Sequence, residues 1–575
     1  MRRVVSVGVL VVATGAVTGA ILTLGGGPDR VGVAERYTRA WARGDFRAMY
    51  GELTPTARRR VTAQRFAALH RERFTTATGQ RLAVAGPARE LSPGVVRVPI
   101  AIRTRIYGRV AAPVDLPVAE DGDAVGVDWK RYLAFPGLRL GEKLTRTIEM
   151  PARATIQARD GAVLAEGEAR TPGTELADLA PDVVGQLGPP PPERAARLRA
   201  LGIPDDTQIG LSGLERALDE RLLGRPGGEL LAGGRVLART KPKQADAVRT
   251  TIAPSVVRAA VAALAGRVGG VVAVDPRSGE VLGYAGIAFS GLQPPGSTFK
   301  IITLTGALEA GITGESSSYP VRTEAVLEGV SLENANGEQC GGSLARSFAE
   351  SCNSVFAPLG AKLGAEKLVE IAERFGFNGE PLLPGARVAA IPAAAEIGDD
   401  LAVGSSAIGQ GRVEATALQL ATVAATIADR GGRPRLTLDL DVAKRSPKAP
   451  LTPVTTPAVA ATVEKLMQGV VRSGTGTSAA IPGVPVAGKT GTAELEATRR
   501  CETPPAGATG AATPENCFSA SDPTDTDAWF AAFAPAGRRA PRVAVGVLLV
   551  RAGAGGDTAA PVARQVLRAA LGRGD

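Results

Sequence analysis

The chain has 575 residues, of which 44% are hydrophobic and 22% charged, so a wholly disordered protein is excluded and three or four domains are expected. The net charge of +10 does not by itself indicate nucleic-acid binding, because the arginines are spread along the chain without a long basic run. A single histidine, His70, argues against a Ser-His-Asp triad and against a histidine-based metal site.

Residues 1–30 are predicted to be a cytoplasmic tail and a membrane anchor. Arg2 and Arg3 precede an uncharged run from Val4 to Leu24. At 1.5 Å per residue this run extends about 31 Å, which matches the hydrocarbon core of a bilayer. The arginines place the N-terminus in the cytoplasm and the rest of the chain outside. A cleaved signal peptide is the alternative, since 17–20 is rich in small residues, although the run is long for one.

Residues 31–147 are predicted to be a separate α+β domain. Helical periodicity runs through 33–41 and again through 46–74. His70, in the second stretch, is expected to be a surface or half-buried helix residue. Alternation of apolar and polar residues, typical of antiparallel strands, follows at 95–106, 109–118 and 125–135. Helices followed by a curled sheet predict a small cone.

Two stretches of this domain, 40–45 and 127–138, resemble the N-terminal extension of methicillin-resistance penicillin-binding proteins. That extension is a nuclear-transport-factor-like fold. The resemblance implies a spacer and not a catalyst.

Residues 148–247 are predicted to be a small structural module. A hairpin is expected at 153–165 with its turn at Asp160-Gly161, and a helix at 213–224. Both resemble the non-catalytic pedestal, or dimerisation-type domain, of class B penicillin-binding proteins, where R-G-x-I-x-D-R-N-G is usual. Three positions depart from that pattern, which we interpret as drift: Ala154, Ala158 and Asp160.

The last predicted domain, 248–575, contains three short motifs. The first is Ser297-Thr298-Phe299-Lys300 at a helix start, where Ser297 and Lys300 share a face. A desolvated lysine can accept the proton of a serine hydroxyl and so activate it as a nucleophile. Ser351-Cys352-Asn353 follows in a helical stretch, and Lys489-Thr490-Gly491-Thr492 follows on a predicted strand at a sheet edge.

The order S-x-x-K, S-x-N, K-T-G is the set of penicillin-binding proteins and class A β-lactamases. Over nearly its full length the chain resembles a class B, high-molecular-weight penicillin-binding protein. The resemblance implies a multidomain fold with an N-terminal transmembrane helix, the α+β cone and the pedestal domain. It also implies an α/β transpeptidase domain of the penicillin-binding/serine β-lactamase type, with a central antiparallel sheet flanked by helices.

The resemblance also assigns catalytic roles. Ser297 attacks the carbonyl of a D-Ala-D-Ala stem peptide, and Lys300, close to Lys489, accepts the proton. Ser351 passes a proton to the leaving amine. Asn353 orients Lys300 and a substrate amide.

The substrate-binding residues are expected on the K-T-G strand. Lys489, Thr490 and Thr492 bind the terminal carboxylate of the substrate, and Gly491 leaves room for the substrate along the strand. The backbone N–H groups of Ser297 and Thr492 are expected to form the oxyanion hole.

These roles predict a peptidoglycan D,D-transpeptidase in the cell membrane, with its catalytic domain outside and no cofactor or metal. Its expected ligands are stem peptides and β-lactams, which acylate Ser297. D,D-carboxypeptidase or endopeptidase activity is an alternative, as is a scaffold that binds β-lactams without turnover. Nothing in the chain resembles a glycosyltransferase, so the expected partners are a membrane-embedded glycan polymerase and other cell-wall and division proteins, without nucleic acid.

The four cysteines are expected to form disulfides outside the cell, and three pairings are possible. Cys501–Cys517 is favoured, because it closes a loop of about 17 residues inside a long segment, 495–527, and stabilises it by roughly 3 kcal/mol. The segment is expected to form a flap at the rim of the active site. Cys340–Cys352 is the less favoured pairing, because Cys352 lies inside S-x-N and can instead be a small buried residue.

Overall fold

The computed structural model describes residues 29–446, 448, 450–494, 499–501, 517–519 and 526–573. The predicted anchor at 4–24 lies outside these residues. Within the described ranges, no helix has both the length and the apolar character that a bilayer crossing requires. The chain forms two compact units: unit 1 contains Met1–Glu149 and Pro226–Lys241, and unit 2 contains Met150–Arg225 and Pro242–Asp575.

The elements of the first half are given in chain order. The helices are α1 (Arg30–Arg43), α2 (Phe46–Gly51), α3 (Pro55–Arg60), α4 (Ala63–Thr76), α5 (Ala180–Val184), α6 (Pro192–Leu201), α7 (Gly213–Ala217) and α8 (Asp219–Leu222). The strands are β1 (Gly79–Val84), β2 (Arg89–Ser92), β3 (Val95–Thr104), β4 (Arg109–Asp121), β5 (Ala124–Val127), β6 (Leu144–Arg146), β7 (Ile156–Gln157), β8 (Val163–Ala165), β9 (Leu187–Gly188), β10 (Ile209–Gly210), β11 (Gly228–Ala232), β12 (Arg235–Thr240) and β13 (Val248–Arg249).

The second half continues the same numbering. Its helices are α9 (Pro254–Leu264), α10 (Lys300–Glu309), α11 (Leu344–Ala349), α12 (Asn353–Leu363), α13 (Ala365–Arg374), α14 (Ala394–Ile397), α15 (Asp400–Ala407), α16 (Ala417–Ala428), α17 (Leu440–Arg445), α18 (Pro457–Ser473) and α19 (Ala559–Ala570). Its strands are β14 (Gly269–Val274), β15 (Val281–Gly286), β16 (Ser318–Arg322), β17 (Glu324–Leu327), β18 (Val330–Glu333), β19 (Cys340–Ser343), β20 (Gly432–Pro434), β21 (Leu451–Pro453), β22 (Ala487–Glu494), β23 (Arg499–Cys501), β24 (Cys517–Ser519), β25 (Thr526–Ala534) and β26 (Val543–Leu549).

Unit 1 packs its helices on one face of an antiparallel sheet with the strand order β1-β3-β4-β5, and β2 pairs with β3. Polar side chains accept hydrogen bonds from the first turn of each helix, as N-caps do; they are Asp29, Asp45, Thr54 and Thr62. Alternate residues of β3 are buried against the helices, from Val96 to Ile102. The period of two that predicted this strand therefore also defines the core of the unit.

The hairpin β11–β12 joins unit 1 through β6, because Leu230 lies opposite Arg146 and Ala232 opposite Leu144. This pairing connects residues that are 84 to 88 positions apart in the sequence. The module predicted at 148–247 is thus shared between the two units, and the rest of it lies in unit 2. Local patterns carry no information about such a distant pairing.

His70 lies in the core of unit 1 with 1% of its surface exposed, so the expected surface or half-buried position was wrong. It follows Phe66 by one helical turn and therefore shares the buried stripe of α4. The rings of Trp41 and Phe66 contact it, with centroids 5.0 and 4.5 Å away, and its Nε2 is 3.5 Å from the Tyr37 hydroxyl. Burial, aided by the charge of Arg73, lowers the pKa of His70 to about 3.

Unit 2 is built on a five-stranded antiparallel sheet with the order β15-β14-β26-β25-β22. Helices α9 and α19 pack on one face, and α16 packs on the other. Strands β14 and β15, which precede Ser297 in the chain, form an antiparallel hairpin. Strand β22, which carries the K-T-G motif, lies at an edge of this sheet.

We expect acid to destabilise unit 1 through His70. The unfolded histidine binds a proton near its ordinary pKa of about 6.5, whereas the folded one does so only near 3. The unfolded state therefore binds more protons between these values, and stability is lost as the pH falls through this window. From about pH 7 to pH 5 the free energy of unfolding should decrease by about 2 kcal/mol.

Urea unfolding followed by the fluorescence of Trp41 and Trp129, in a Trp529→Phe background, measures this loss. The control is His70→Phe, which keeps an aromatic ring but does not titrate. Its free energy of unfolding should change less between the two pH values. An equal loss in both proteins would contradict the assignment to His70.

Candidate active site

The three motifs of the last domain meet at one place in unit 2. Ser297 lies in the 3-10 turn Gly296–Phe299, directly before α10. Ser351 lies between α11 and α12, and Lys489 lies in β22. The Gly296 N–H donates to the Gly409 carbonyl at 2.9 Å, so the turn after α15 supports the turn that carries Ser297.

Lys300 is fully buried beside the Ser297 hydroxyl. Its Nζ lies 2.9 Å from Ser297 Oγ, and 2.6 Å from both Asn353 Oδ1 and the Ser351 carbonyl oxygen. The latter two oxygens only accept hydrogen bonds, whereas the serine hydroxyl can also donate. Burial, and secondarily the charge of Lys489, lowers the pKa of Lys300 well below its usual range. A neutral amine here has its lone pair available for the Ser297 proton.

Lys489 is the second buried lysine of the site. Its Nζ donates to Ser351 Oγ at 2.8 Å, and Lys300 Nζ lies 3.3 Å from the same hydroxyl. Burial lowers the pKa of Lys489 to about 7. The Ser351 hydroxyl thus links the two amines and can carry a proton between them.

The backbone at Ser351 is in the left-handed region, with φ 63°. This conformation is uncommon for a residue with a side chain and costs of order 1–3 kcal/mol, so the surrounding structure must hold it. The next residue, Cys352, forms a disulfide with Cys340 of β19, and its N–H donates to the Ser347 carbonyl at 2.9 Å. The second of the two predicted pairings is therefore formed.

The favoured pairing lies at the margin of the described residues. Cys501 of β23 is opposite Cys517 of β24 in an antiparallel register. Most of the segment predicted to be a flap, 495–527, lies outside the described residues, and the bond between these cysteines stays a prediction.

Asn353 begins α12 and has both ends of its amide in use. Its Oδ1 accepts from Lys300, and its Nδ2 donates to the Glu333 carbonyl at 2.7 Å. The side chain is therefore fixed between β18 and the lysine. One of its two N–H bonds remains for a ligand.

Thr490 and Thr475 form a pair of hydroxyls 2.6 Å apart. Thr490 is nearly buried, while Thr475 is exposed at the turn after α18. The sequence motifs gave Thr475 no role. No local sequence pattern indicates that Thr475 contacts the K-T-G strand.

Gly491 lets β22 approach the Ser297 turn closely. A Cβ at this position would lie 2.7 Å from the Pro295 carbonyl oxygen and 2.9 Å from Thr298 Cγ2. The sequence interpretation explained this glycine by room for the substrate, whereas the contacts are with the protein itself. Thr492 accepts a hydrogen bond from the Gly555 N–H at 3.3 Å.

Among the described residues, one group of potential metal ligands is close enough to hold an ion: Cys340, Glu350 and Cys352. Both sulfurs belong to the disulfide, and metal binding needs thiolates.

Comparison with known proteins gives one family match and two similar proteins. Residues 269–568 match the penicillin binding protein transpeptidase domain. Peptidoglycan D,D-transpeptidase PbpA of Mycolicibacterium smegmatis is 34% identical over 429 residues, which are 63% of this chain and 80% of the relative. The protein of the same name from Mycobacterium tuberculosis is 38% identical over 302 residues, and the match spans 49% of this chain and 56% of that relative.

A solved structure adds to these matches. The ceftriaxone acyl-enzyme complex of penicillin-binding protein A from M. tuberculosis is 27% identical, with a TM-score of 0.53. The match covers 73% of this chain and 98% of that chain. The likeness therefore includes most of the described fold.

We expect the second-order rate of acylation by benzylpenicillin to fall as the pH rises above about 7. Lys489 has its pKa near 7, so above that pH it loses the charge that attracts the carboxylate of the drug. Lys489→Arg keeps its charge in this range. Its rate should be lower overall but should show no alkaline fall.

Stopped-flow acylation across the pH range measures both profiles, since this rate reports the ionisation of the free enzyme. Lys362→Arg, on an exposed position of α12, serves as the control and should keep the wild-type profile. A wild-type rate that stays constant above pH 7 would refute the role of Lys489. So would the same fall in Lys489→Arg.

Proposed function

Because the chain belongs to the penicillin-binding protein transpeptidase family, we propose that it cross-links peptidoglycan stem peptides through an acyl-enzyme on Ser297. The predicted family resemblance is confirmed. The protein is a D,D-transpeptidase of the class B type, and β-lactams acylate it. The observation that carries the proposal is the buried Lys300 amine 2.9 Å from the Ser297 hydroxyl.

In the first half-reaction, Ser297 Oγ bonds to the carbonyl carbon of the penultimate D-Ala while its proton moves to Lys300 Nζ. The C–N bond to the terminal D-Ala then breaks. The leaving nitrogen takes a proton through the Ser351 hydroxyl, which both lysines contact. The product is an ester on Ser297.

In the second half-reaction, the amine of a neighbouring stem peptide attacks the ester carbonyl. Lys300 accepts the proton of that amine and returns it to Ser297 Oγ as the ester bond breaks. The sum is one amide broken and one formed, without an external energy source. A β-lactam follows the first half-reaction only, because its opened ring stays attached and blocks the acceptor.

Binding of the substrate carboxylate is assigned to the K-T-G strand. Lys489 supplies charge and Thr490 a hydroxyl, and the contact between Thr490 and Thr475 adds a second hydroxyl at the rim. If Thr475 donates to Thr490, the Thr490 proton is free to donate to the carboxylate. The backbone N–H groups of Ser297 and Thr492 are assigned to the oxyanion, where the loss of one donor costs about 10²–10³ in rate.

The segment 4–24 is proposed as a single membrane anchor, with both units outside the membrane and unit 1 as a spacer of the methicillin-resistance type. A membrane-embedded glycan polymerase is the proposed partner, together with other cell-wall and division proteins. The family supports this assignment, since a transpeptidase needs glycan strands made elsewhere. Crosslinking in intact membranes that recovers no polymerase would argue against it.

Ser297→Ala should lose labelling by a fluorescent penicillin and turnover of a stem-peptide thioester analogue, while its fold stays unchanged. Ser290→Ala, an exposed serine close in sequence, is the matched control and should keep both activities. With wild type, adding a D-amino acid should divert the acyl group to the amine, as detected by mass spectrometry. Release only to water would indicate a carboxypeptidase, and full labelling of Ser297→Ala would refute the nucleophile.

A further inference from the structure

The positive charge of the chain is concentrated in unit 1. From residue 29 onward, this unit contains 25 Lys and Arg against 14 Asp and Glu, a net charge of +11. Unit 2 contains 40 against 43, a net charge of −3. Acidic residues occur at about the same density in both units, whereas Lys and Arg are about twice as dense in unit 1. An excess of this size in one unit indicates an anionic partner.

Three arginines of unit 1 lie side by side across its sheet. Arg81 of β1 is directly opposite Arg103 of β3, and Arg103 is directly opposite Arg109 of β4. Directly paired residues share a face of the sheet, and all three side chains are exposed. Within the described part of the chain, none of the three has an ion pair or a side-chain hydrogen bond. We name these residues the arginine row.

The same sheet contains an internal contrast. Arg97 of β3 is opposite Asp115 of β4, and two hydrogen bonds of 2.7 and 2.8 Å join them. Charge neutralisation across β3 and β4 is thus possible and is used at one position. At the arginine row, like charges face each other instead, which destabilises the pairing of the strands. An anion bound from solution would remove this repulsion.

The surroundings leave the arginine row accessible. The neighbouring residues on the same face of the three strands are small: Ala83, Ala101 and Ala111. Arg105, in the connection between β3 and β4, adds a further exposed cation at the same end of the sheet. Neighbouring strands are about 4.8 Å apart, so the row is a line of charge roughly 10 Å long. A chain of closely spaced anions fits such a line better than a single small ion.

The position of the row argues against the membrane as its partner. Arg30, at the start of α1, bridges Glu90 and Glu120 at the other end of the sheet. Glu120 is eleven residues from Arg109 along β4, or about 37 Å in an extended strand. Five residues, 25–29, join the proposed anchor to Arg30, so a tether of this length holds the glutamate end close to the bilayer. The row is several Debye lengths away from that end.

We propose that the arginine row binds polymeric peptidoglycan through the carboxylates of its stem peptides. The inference rests on the proposed function, which makes this polymer the substrate of the chain. Guanidinium groups pair with carboxylates through two parallel hydrogen bonds, which suits recognition by arginine rather than lysine. The row retains the enzyme on its polymeric substrate and takes no part in the acyl transfer.

The test uses the full chain in detergent, with Ser297 first acylated by penicillin, and insoluble peptidoglycan freed of attached phosphate polymers. Co-sedimentation gives the dissociation constant. The triple variant Arg81→Ser/Arg103→Ser/Arg109→Ser should bind about tenfold more weakly at about 0.15 M salt, a factor of two to three for each exposed ion pair. The control Arg43→Ser/Arg47→Ser/Arg65→Ser removes the same charge from exposed positions of the same unit and should change binding by less than twofold.

Amidation of the stem-peptide carboxylates should weaken wild-type binding to the level of the triple variant. Equal losses of affinity in the two triple variants would show that net charge alone sets binding, and would overturn the proposal. Unchanged binding to amidated peptidoglycan would overturn the assignment of the stem-peptide carboxylates as the ligand. Stronger competition by poly(glycerol phosphate) or by micelles with phosphatidylglycerol would show that the arginine row binds phosphodiesters instead. Penicillin labelling should be equal in all variants. Its absence in wild type would instead refute the proposed function.

Discussion

The site depends on the burial of two primary amines around one hydroxyl. Lys300 and Lys489 are both fully buried, and both contact Ser351 Oγ. Removing a charged ammonium from water costs several kcal/mol, so burial favours the neutral form. Burial by the fold therefore favours neutral amines at Lys300 and Lys489, and a neutral amine can act as a base. Each other feature of the site keeps that arrangement in place.

Close backbone approach is the means by which the fold achieves this burial. Strand β22 and the Ser297 turn come so near that a Cβ at Gly491 would meet the Pro295 carbonyl. On the other side, a Cβ at Gly409 would lie 2.0 Å from the Gly296 carbonyl. The nucleophile turn is thus held between two glycines that supply no chemistry. The disulfide at Cys352 similarly fixes the turn of Ser351 from the side of β19.

The sequence allowed the motif residues and the strands next to them to be predicted, because their patterns are local. Ser297 and Lys300 are one helical turn apart, and β14 and β15 are short buried runs joined by a turn. Contacts between distant segments were not predictable. The hydroxyl pair of Thr475 and Thr490, the joining of β11 to β6 and the arginine row all depend on register, which periodicity does not specify. His70 failed for a different reason, since a polar residue type was given more weight than its place on the buried stripe of α4.

Under the proposed role of Lys489, the two lysines would couple recognition of the substrate carboxylate to the base. Lys489 has a pKa near 7, so an anion bound beside it favours its charged form. A charged Lys489 lowers the pKa of Lys300, for which it is the second cause after burial. Lys300 is then held neutral at the moment when the substrate carbonyl is next to Ser297. In this proposal an uncharged substrate gives no such bias, and recognition of the carboxylate is coupled to the base through the charge of Lys489.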